Sequence, residues 1–415
     1  MKRTTLLATC LALTATFATA QTTLPLVFDK ENTGANIQPG TSPAPSTLSN
    51  AVHQLPDPFR FLDGTRDTTY AAWERHRNEV ARLIQDYEIG NRPSFDHLSA
   101  TFDKADSTIH VTIESQGRSM DLTSKIIIPK TTSKAKNVKF PVVIGMNMPS
   151  GSIRPDFLKG CILVPFKHDQ VIKSSHQAVR DTAGAFYRLY PEYTNTSGNY
   201  SGWSWGVSRL IDAIFMLKDQ IRADVQHIAV TGCSYAGKMA MFAGAFDERI
   251  ALTIIQESGG GGINSWRVSD YYTLAVGGNV ERVENTNYSW FAPKFKQDFN
   301  GKVALLPYDH HQILAMIAPR AVLVLGNPDF EWLCDYSGYV SCAAASKVWD
   351  NFGIGDRFGY VVEGKHNHCM ACDSQNQAVQ QFVAKFLFGK PANTNIRQAL
   401  SFKDVNIDIW TKNWK

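Results

Sequence analysis

The chain predicts an α/β fold built on a mostly parallel central sheet. Two observations carry that reading. Short apolar runs alternate with helical patterns from Pro141 onward, and one of those runs leads into a glycine-flanked serine turn that opens a helix. The turn is Thr231-Gly232-Cys233-Ser234-Tyr235-Ala236-Gly237-Lys238. It follows the β-type run His227-Ile228-Ala229-Val230 and precedes Met239-Ala240-Met241-Phe242-Ala243-Gly244-Ala245-Phe246. A serine on a sharp strand-to-helix turn has the design of a nucleophile elbow, and glycines beside it admit a backbone that would otherwise clash. The spacing is Gly-x-Ser-x-x-Gly rather than Gly-x-Ser-x-Gly, so an ordinary strand-to-helix turn stays open until partners for Ser234 are found.

With 415 residues, 44% of them hydrophobic and 19% charged, the chain is long enough to bury a large core. A formal charge of +4 is small for this length and gives no reason to expect a nucleic-acid partner. The first residues have the form of an export signal: basic Met1-Lys2-Arg3, a mostly apolar stretch from Leu6 to Phe17, and the small-x-small site Ala18-Thr19-Ala20, with cleavage after Ala20. That stretch is too short to span a membrane comfortably, and the residues before Cys10 fit a lipoprotein box poorly. A secreted or periplasmic mature chain, free of the membrane, is expected. Cys161, Cys233, Cys334, Cys342, Cys369 and Cys372 remain after cleavage, and an oxidising compartment favours disulfides among them over metal ligation or free thiols. Spacing does not choose the pairs, although Cys334 with Cys342 would close a short loop. Cys369-Met370-Ala371-Cys372 has CxxC spacing without a thioredoxin-like context.

In order, residues 1–20 read as the signal, 21–55 as an extended lead-in rich in Thr, Ser, Pro and Asn, and 56–415 as one catalytic domain. Trp73, Val80, Leu83, Ile84 and Tyr87 recur at helical spacing and predict an amphipathic helix over residues 69–87. Residues 108–113 and 122–128 predict strands, and 140–146 and 161–166 predict short buried ones. Pro149-Ser150-Gly151-Ser152 after the first buried strand is a loop able to hold backbone donors near a site. An aromatic segment, Tyr200 to Trp205, leads into a helix over 206–221 with Leu210, Ile211, Ile214, Phe215 and Leu217 on its apolar side. Beyond the serine turn come strands over 250–257, 320–325 and 358–362, then a closing amphipathic helix over 375–388.

Hydrolysis by a serine requires a base to take its proton, an acid to hold the base, and donors for the oxyanion. In α/β-hydrolases these groups gather beyond the carboxyl ends of the strands, in the chain order serine, acid, histidine. The strand after the Ser234 helix ends at Gln256-Glu257-Ser258-Gly259, which puts a carboxylate at that edge. The last strand ends at Val362-Glu363-Gly364, and the next loop carries Lys365-His366-Asn367-His368-Cys369. A triad uses one imidazole, so one of the two histidines shapes the loop. His310-His311 lack an obvious third ligand and read as structural.

At this point the chain resembles the glucuronoyl esterases, carbohydrate esterase family 15, as a bacterial-type member. The resemblance runs over roughly residues 140–390 and rests on Gly202-Trp203-Ser204-Trp205-Gly206, Gly232-Cys233-Ser234, Gly237-Lys238, Gln256-Glu257-Ser258-Gly259, Trp266-Arg267-Val268-Ser269-Asp270, Trp290-Phe291, Leu306-Pro307-Tyr308-Asp309-His310-His311, Ile317-Ala318-Pro319-Arg320 and His368-Cys369. It implies an α/β-hydrolase fold, a three-layer α/β/α sandwich with an exposed cleft. It also implies a serine esterase acting on (4-O-methyl-)glucuronate esters between lignin and xylan. By the resemblance Ser234 is the nucleophile, Glu257 the acid and His368 the base, and Cys233 pairs with Cys369. Lys238 matches a sugar-contacting position and Trp332 an aromatic that contacts the uronate. Glu281 and Asn287 fall near other sugar-contacting positions, where the family carries a glutamine and a glutamate. Tyr235 stands where the family usually has an arginine that assists the oxyanion; its backbone N–H still donates, and its hydroxyl is a further candidate. Some bacterial relatives place the acid one strand later, where this chain has Asp329, Glu331 and Asp335; Glu257 is preferred.

No metal or organic cofactor is expected, and the molecule is expected to be a monomer. Two other readings are an acetyl xylan or general carboxylic esterase, and a catalytically weakened homologue that binds polysaccharide.

Overall fold

The computed structural model describes residues 24–31, 41–130, 138–174, 177 and 179–414. The export signal expected over residues 1–20 lies outside the described residues. The elements, in chain order, begin with helix α1 (Tyr70–Ile84), started by Thr69, whose hydroxyl accepts from Ala72 N at 3.3 Å and satisfies one of the free N–H groups of the first turn. A π-helical turn, Gln85–Ile89, extends it. Strands β1 (His97–Asp103), β2 (Thr108–Ser115) and β3 (Arg118–Lys125) form an antiparallel sheet of their own. Then come β4 (Phe140–Met146), β5 (Ile162–Phe166), the short α2 (Ala185–Leu189), α3 (Asn199–Leu217), β6 (Ala223–Cys233), α4 (Tyr235–Phe246) and β7 (Ile250–Gln256). The chain continues through α5 (Trp266–Val276), α6 (Pro293–Phe299), α7 (His310–Ala315), β8 (Ala321–Gly326), α8 (Asp335–Asn351), β9 (Phe358–Val362), α9 (Asp373–Phe386), β10 (Arg397–Gln398) and α10 (Asp408–Thr411).

The second sheet has seven strands in the order β10-β9-β8-β7-β6-β4-β5, and every neighbouring pair is parallel. Its inner strands read as unbroken apolar runs because both faces are covered. Along β4 the side chains still alternate. Val142 and Ile144 join the core shared with α3, α4, α7 and α8, whereas Val143 joins a second core closed by Val379, Phe382, Val383 and Phe386 of α9. That is the expected three-layer sandwich. Strand order turns back at β4: the chain runs outward to β5, then returns to the other side of β4 as β6 and continues to β7. Ligands of such sheets bind at this switch point, beyond the carboxyl ends.

Tertiary packing moved several boundaries. The segment Tyr200 to Trp205 is the first turns of α3 rather than a lead-in, because Tyr200, Gly202, Trp203 and Trp205 are all buried. A Cβ at Gly202 would lie 2.6 Å from Ile172 Cδ1 and 3.2 Å from Phe186 Cγ, so a larger residue there would push the Ile172 side chain aside. Strand β3 stops at Lys125, and Ile127 instead bridges antiparallel to Leu163, joining the two sheets. Strand β1 was invisible in the pattern, since Leu98 alone of its residues is fully buried. The lead-in is docked where it is described. Phe28 N donates to Glu248 O at 3.0 Å, and Arg357 reaches the carbonyls of Leu24 and Pro25.

Glu31 anchors the lead-in most firmly. One carboxylate oxygen lies 2.7 Å from Arg92 and the other accepts from Arg209. Burial alone would raise its carboxyl, but Arg209, Arg92 and Arg249 outweigh it and hold the group at about 2. A depressed folded pKa contributes stability above the ordinary carboxylate value that is lost as pH falls through about 2. Glu31→Gln should therefore destabilise the protein at pH 7 by roughly 1–3 kcal/mol. The gap to the parent in thermal unfolding should narrow once the pH drops below about 4.5; an equal gap at every pH would show that the ion pairs contribute nothing.

Candidate active site

Ser234 sits between β6 and α4 with φ 58° and ψ −130°, a conformation that L residues rarely adopt. The reason for the two glycines is visible in the packing. A Cβ at Gly232 would lie 2.3 Å from Ala236 O, and one at Gly237 would lie 2.6 Å from Gln256 O. The second glycine is therefore needed where the turn meets the end of β7, which accounts for the Gly-x-Ser-x-x-Gly spacing. Ser234 N donates to Gln256 O at 3.0 Å, fixing the elbow to the same strand end.

Glu257, the residue after β7, also has a left-handed backbone, φ 45°, and its N–H donates to Leu325 O at 2.7 Å. Its buried carboxylate receives His368 Nδ1 at 2.6 Å on one oxygen. The other oxygen receives Cys369 N at 3.1 Å and Gln256 Nε2 at 3.2 Å. With Nδ1 engaged, Nε2 is the ring nitrogen left to face a substrate or a hydroxyl. The Cys233–Cys369 disulfide is formed, with Cα atoms 5.6 Å apart, so the residue before the serine is covalently joined to the residue after the histidine. One ligand atom each of Cys233, His368 and Cys369 lie within 4.8 Å of one another. The two sulfurs are bonded to each other and are not thiolates, the form in which cysteine binds metal.

The other histidine of the loop is spent locally. His366 Nε2 bonds Glu363 O at 2.8 Å, and Asn327 Nδ2 donates to His366 O at 2.9 Å. His310 and His311 are buried and structural: His310 Nε2 lies 2.7 Å from Glu88, and His311 Nε2 bonds Pro56 O at 2.8 Å.

Of the alternative acids, none is bonded to His368. Asp329 accepts from Lys365 N at 2.5 Å, and Glu331 accepts from Asn279 N at 3.3 Å. Asp335 is buried at the start of α8 and accepts from Asn327 N at 3.0 Å. Lys238 lies inside the first turns of α4, its Nζ 2.7 Å from Glu281 and 4.4 Å above the Trp290 ring. Burial lowers its pKa, and Glu281 opposes that shift. Glu281 N in turn donates to Trp332 O at 3.1 Å, and the Trp332 side chain is exposed. Asn287 accepts from Ser289 Oγ at 2.7 Å, in the same loop as Trp290. Trp290 was legible only as part of a motif; its place over Lys238 comes from the fold. Phe330, with its ring 5.4 Å from that of His368, carried no signal in the sequence.

Cysteine pairing departs from expectation: Cys161, Cys334, Cys342 and Cys372 are free thiols. Cys334 caps α8 and Cys342 lies eight residues further along, a helical rise of about 12 Å. A disulfide needs Cα atoms within about 7 Å, so the short loop that seemed to favour this pair is a helix that forbids it.

Comparison with known proteins adds the family. A family described as "Glucuronyl esterase, fungi" matches residues 111–353. The 4-O-methyl-glucuronoyl methylesterase 1 of Wolfiporia cocos is 36% identical over 378 residues, which cover 89% of this chain and 87% of that one. The glucuronoyl esterase catalytic domain from Hypocrea jecorina is similar with a TM-score of 0.78 at 33% identity, over 91% of this chain and 98% of that domain. A mutant of the glucuronoyl esterase from Sporotrichum thermophile, in complex with methyl 4-O-methyl-beta-D-glucopyranuronate, is similar with a TM-score of 0.78 at 30% identity, over 87% and 94%. The family model that matches is the one described for fungi.

Burial, reinforced by the nearby charge of Glu257, pushes the Asp335 carboxyl up to about 7, against a bond from Asn327 N that pulls it down. A raised carboxyl pKa means that the folded state holds a proton that the unfolded chain releases, so its contribution to stability falls as pH rises from about 4 to about 7. Asp335→Asn keeps an acceptor for Asn327 N and removes the charge. Its unfolding free energy, set against the parent's, should improve as pH rises from about 4 to about 7 and level off above, by up to a few kcal/mol. A difference independent of pH would show that Asp335 is ionised throughout.

Proposed function

The chain belongs to the glucuronoyl esterases, and from that premise we propose that it hydrolyses (4-O-methyl-)glucuronate esters, such as those joining lignin to xylan, through an acyl-enzyme on Ser234. The observation that carries the reading is the bond from His368 Nδ1 to Glu257 at 2.6 Å, held beside the Ser234 elbow by the Cys233–Cys369 link. Ser234 Oγ attacks the ester carbonyl while His368 Nε2 takes its proton. Glu257 holds the imidazole in the required tautomer and stabilises the imidazolium. The tetrahedral intermediate collapses, the alcohol leaves with the proton from His368, and water repeats the cycle on the acyl-enzyme. The Tyr235 N–H, at the start of α4, donates to the oxyanion.

Lys238, Glu281 and Trp332 suit a sugar acid more than a lipid. Lys238 keeps donors beyond the one given to Glu281, and the exposed Trp332 ring offers an apolar face. Asn287 is the further sugar contact in this reading, on the loop that carries Trp290. In this reading residues 1–20 are an export signal and the mature chain acts as a secreted or periplasmic monomer. No helix among the described residues is long and apolar enough to cross a membrane.

Purified protein should release benzyl alcohol from benzyl glucuronate faster than acetate from acetylated xylan; the reverse order would favour an acetyl xylan esterase. Ser234→Ala should abolish turnover and labelling by a serine-directed phosphonate while leaving the fold intact. Glu257→Gln should lower kcat by on the order of 10²-fold or more with little change in KM, since it disturbs the histidine and not the sugar contacts. Parent protein that neither turns over nor takes the label would be the polysaccharide-binding homologue instead.

A further inference from the structure

Three side chains line up across the carboxyl ends of three neighbouring strands. His168 follows β5, Asn147 follows β4, and Tyr235 follows β6 and the serine. The Asn147 amide nitrogen donates to the Tyr235 hydroxyl at 2.9 Å, and the Asn147 side-chain oxygen is bonded to His168 Nδ1. Asn147 is held in this pose by its backbone, with φ 68° and its own N–H donating to Phe166 O at 2.8 Å. His168 is wedged edge-on against the Trp203 ring at 4.9 Å and the Tyr235 ring at 5.6 Å. The Tyr235 ring stacks on Trp290, the same indole that carries Lys238 on its face.

Direction matters here. A phenol has one proton and two lone pairs, and Asn147 Nδ2 uses a lone pair. The hydroxyl proton of Tyr235 therefore plays no part in the bond with Asn147. Neutral His168 donates from Nδ1 to the Asn147 oxygen, which keeps the amide from turning that oxygen toward Tyr235 and capturing the proton. Burial raises the Tyr235 phenol above its ordinary value, so the proton stays in place at neutral pH.

The position of the hydroxyl is equally specific. In this fold the oxyanion is held between the N–H after the nucleophile and the loop that leaves the adjacent strand. Tyr235 supplies the first, and Asn147 opens that loop after β4. The Tyr235 hydroxyl is tied to Asn147, the first residue of that loop. We propose that the Tyr235 hydroxyl is a second, side-chain donor to the oxyanion, and that Asn147 and His168 are positioning residues that keep its proton free for that use. The inference rests on the esterase reading above and deepens it: the side-chain donor is held by three residues that follow three neighbouring strands.

The test compares Tyr235→Phe, Asn147→Asp, His168→Leu and His168→Gln with the parent, in the mature chain. Two readouts are used: kcat and KM on benzyl glucuronate, and the rate at which a p-nitrophenyl alkylphosphonate labels Ser234. Labelling also builds negative charge on a phosphoryl oxygen in the hole, whatever the natural acyl group. Tyr235→Phe should lower kcat and the labelling rate by on the order of 10²-fold with KM little changed. Asn147→Asp keeps the size and the left-handed backbone but turns the donor into an acceptor that captures the Tyr235 proton, so its loss should match, and the double variant should lose no more than Tyr235→Phe alone. His168→Leu should fall in the same direction, and His168→Gln, whose amide still donates to Asn147, should recover most of that loss. Parent-like kcat and labelling in Tyr235→Phe, or losses that multiply in the double variant, would overturn the proposal. If the parent labels but does not cleave the glucuronate ester, the substrate reading falls while the labelling rates still decide for or against the Tyr235 donor.

Discussion

The bond between His368 Nδ1 and the buried Glu257 carboxylate is the constraint on which the rest of the site depends. His368 stands on a loop and is about one-third exposed in its side chain, so nothing but its partners holds the ring. Glu257 is fixed by the sheet, because its N–H continues the hydrogen bonding between β7 and β8. The disulfide then ties the histidine loop to the elbow. Ser234, Glu257 and Cys369 all have positive φ without being glycine. Each such residue carries on the order of 1–3 kcal/mol of strain, sustained only where surrounding structure over-determines it. Here a parallel sheet, a covalent link and a buried carboxylate do so together.

Beside the triad-like cluster, buried charges are matched rather than left alone. Lys238 is paired to Glu281 and faces Trp290, and Glu281 also accepts from Thr286 at 2.6 Å. A buried ammonium without a partner would lose its proton or its place. Glu281 thus orients Lys238 through an ion pair within the protein itself. Asp309 works in the same manner below the site. It caps α7 and accepts from Trp266 N at 2.7 Å and from Arg267, tying the segment that carries α5 to the core. The His310-His311 pair is part of that frame, as its structural reading in the sequence anticipates.

Several elements were misread for one physical reason: local pattern reports what a segment prefers, and packing decides what it does. The aromatic Tyr200 to Trp205 stretch has modest helical propensity, yet it is helical because every ring finds a place in the core. The cysteines show the same limit. An even count in an exported chain argues for disulfides, but bonding requires side chains to meet. Three of the four free thiols are instead buried as small apolar groups.

The sequence by itself determined the α/β class, the elbow at Ser234, the carboxylate at Glu257 and the histidine loop, because strands, turns and chain order leave local marks. Through a family resemblance it also named Cys233 with Cys369 and singled out Lys238 and Trp332. What no local pattern fixed was which distant segments touch. Where Trp290 lies and what Tyr235 touches were decided by the order of strands in the sheet. That order puts the ends of β5, β4 and β6 side by side, so that His168, Asn147 and Tyr235, distant in the chain, join hands through hydrogen bonds. The serine turn was legible from eight residues. The surroundings of that turn exist only once the sheet has formed.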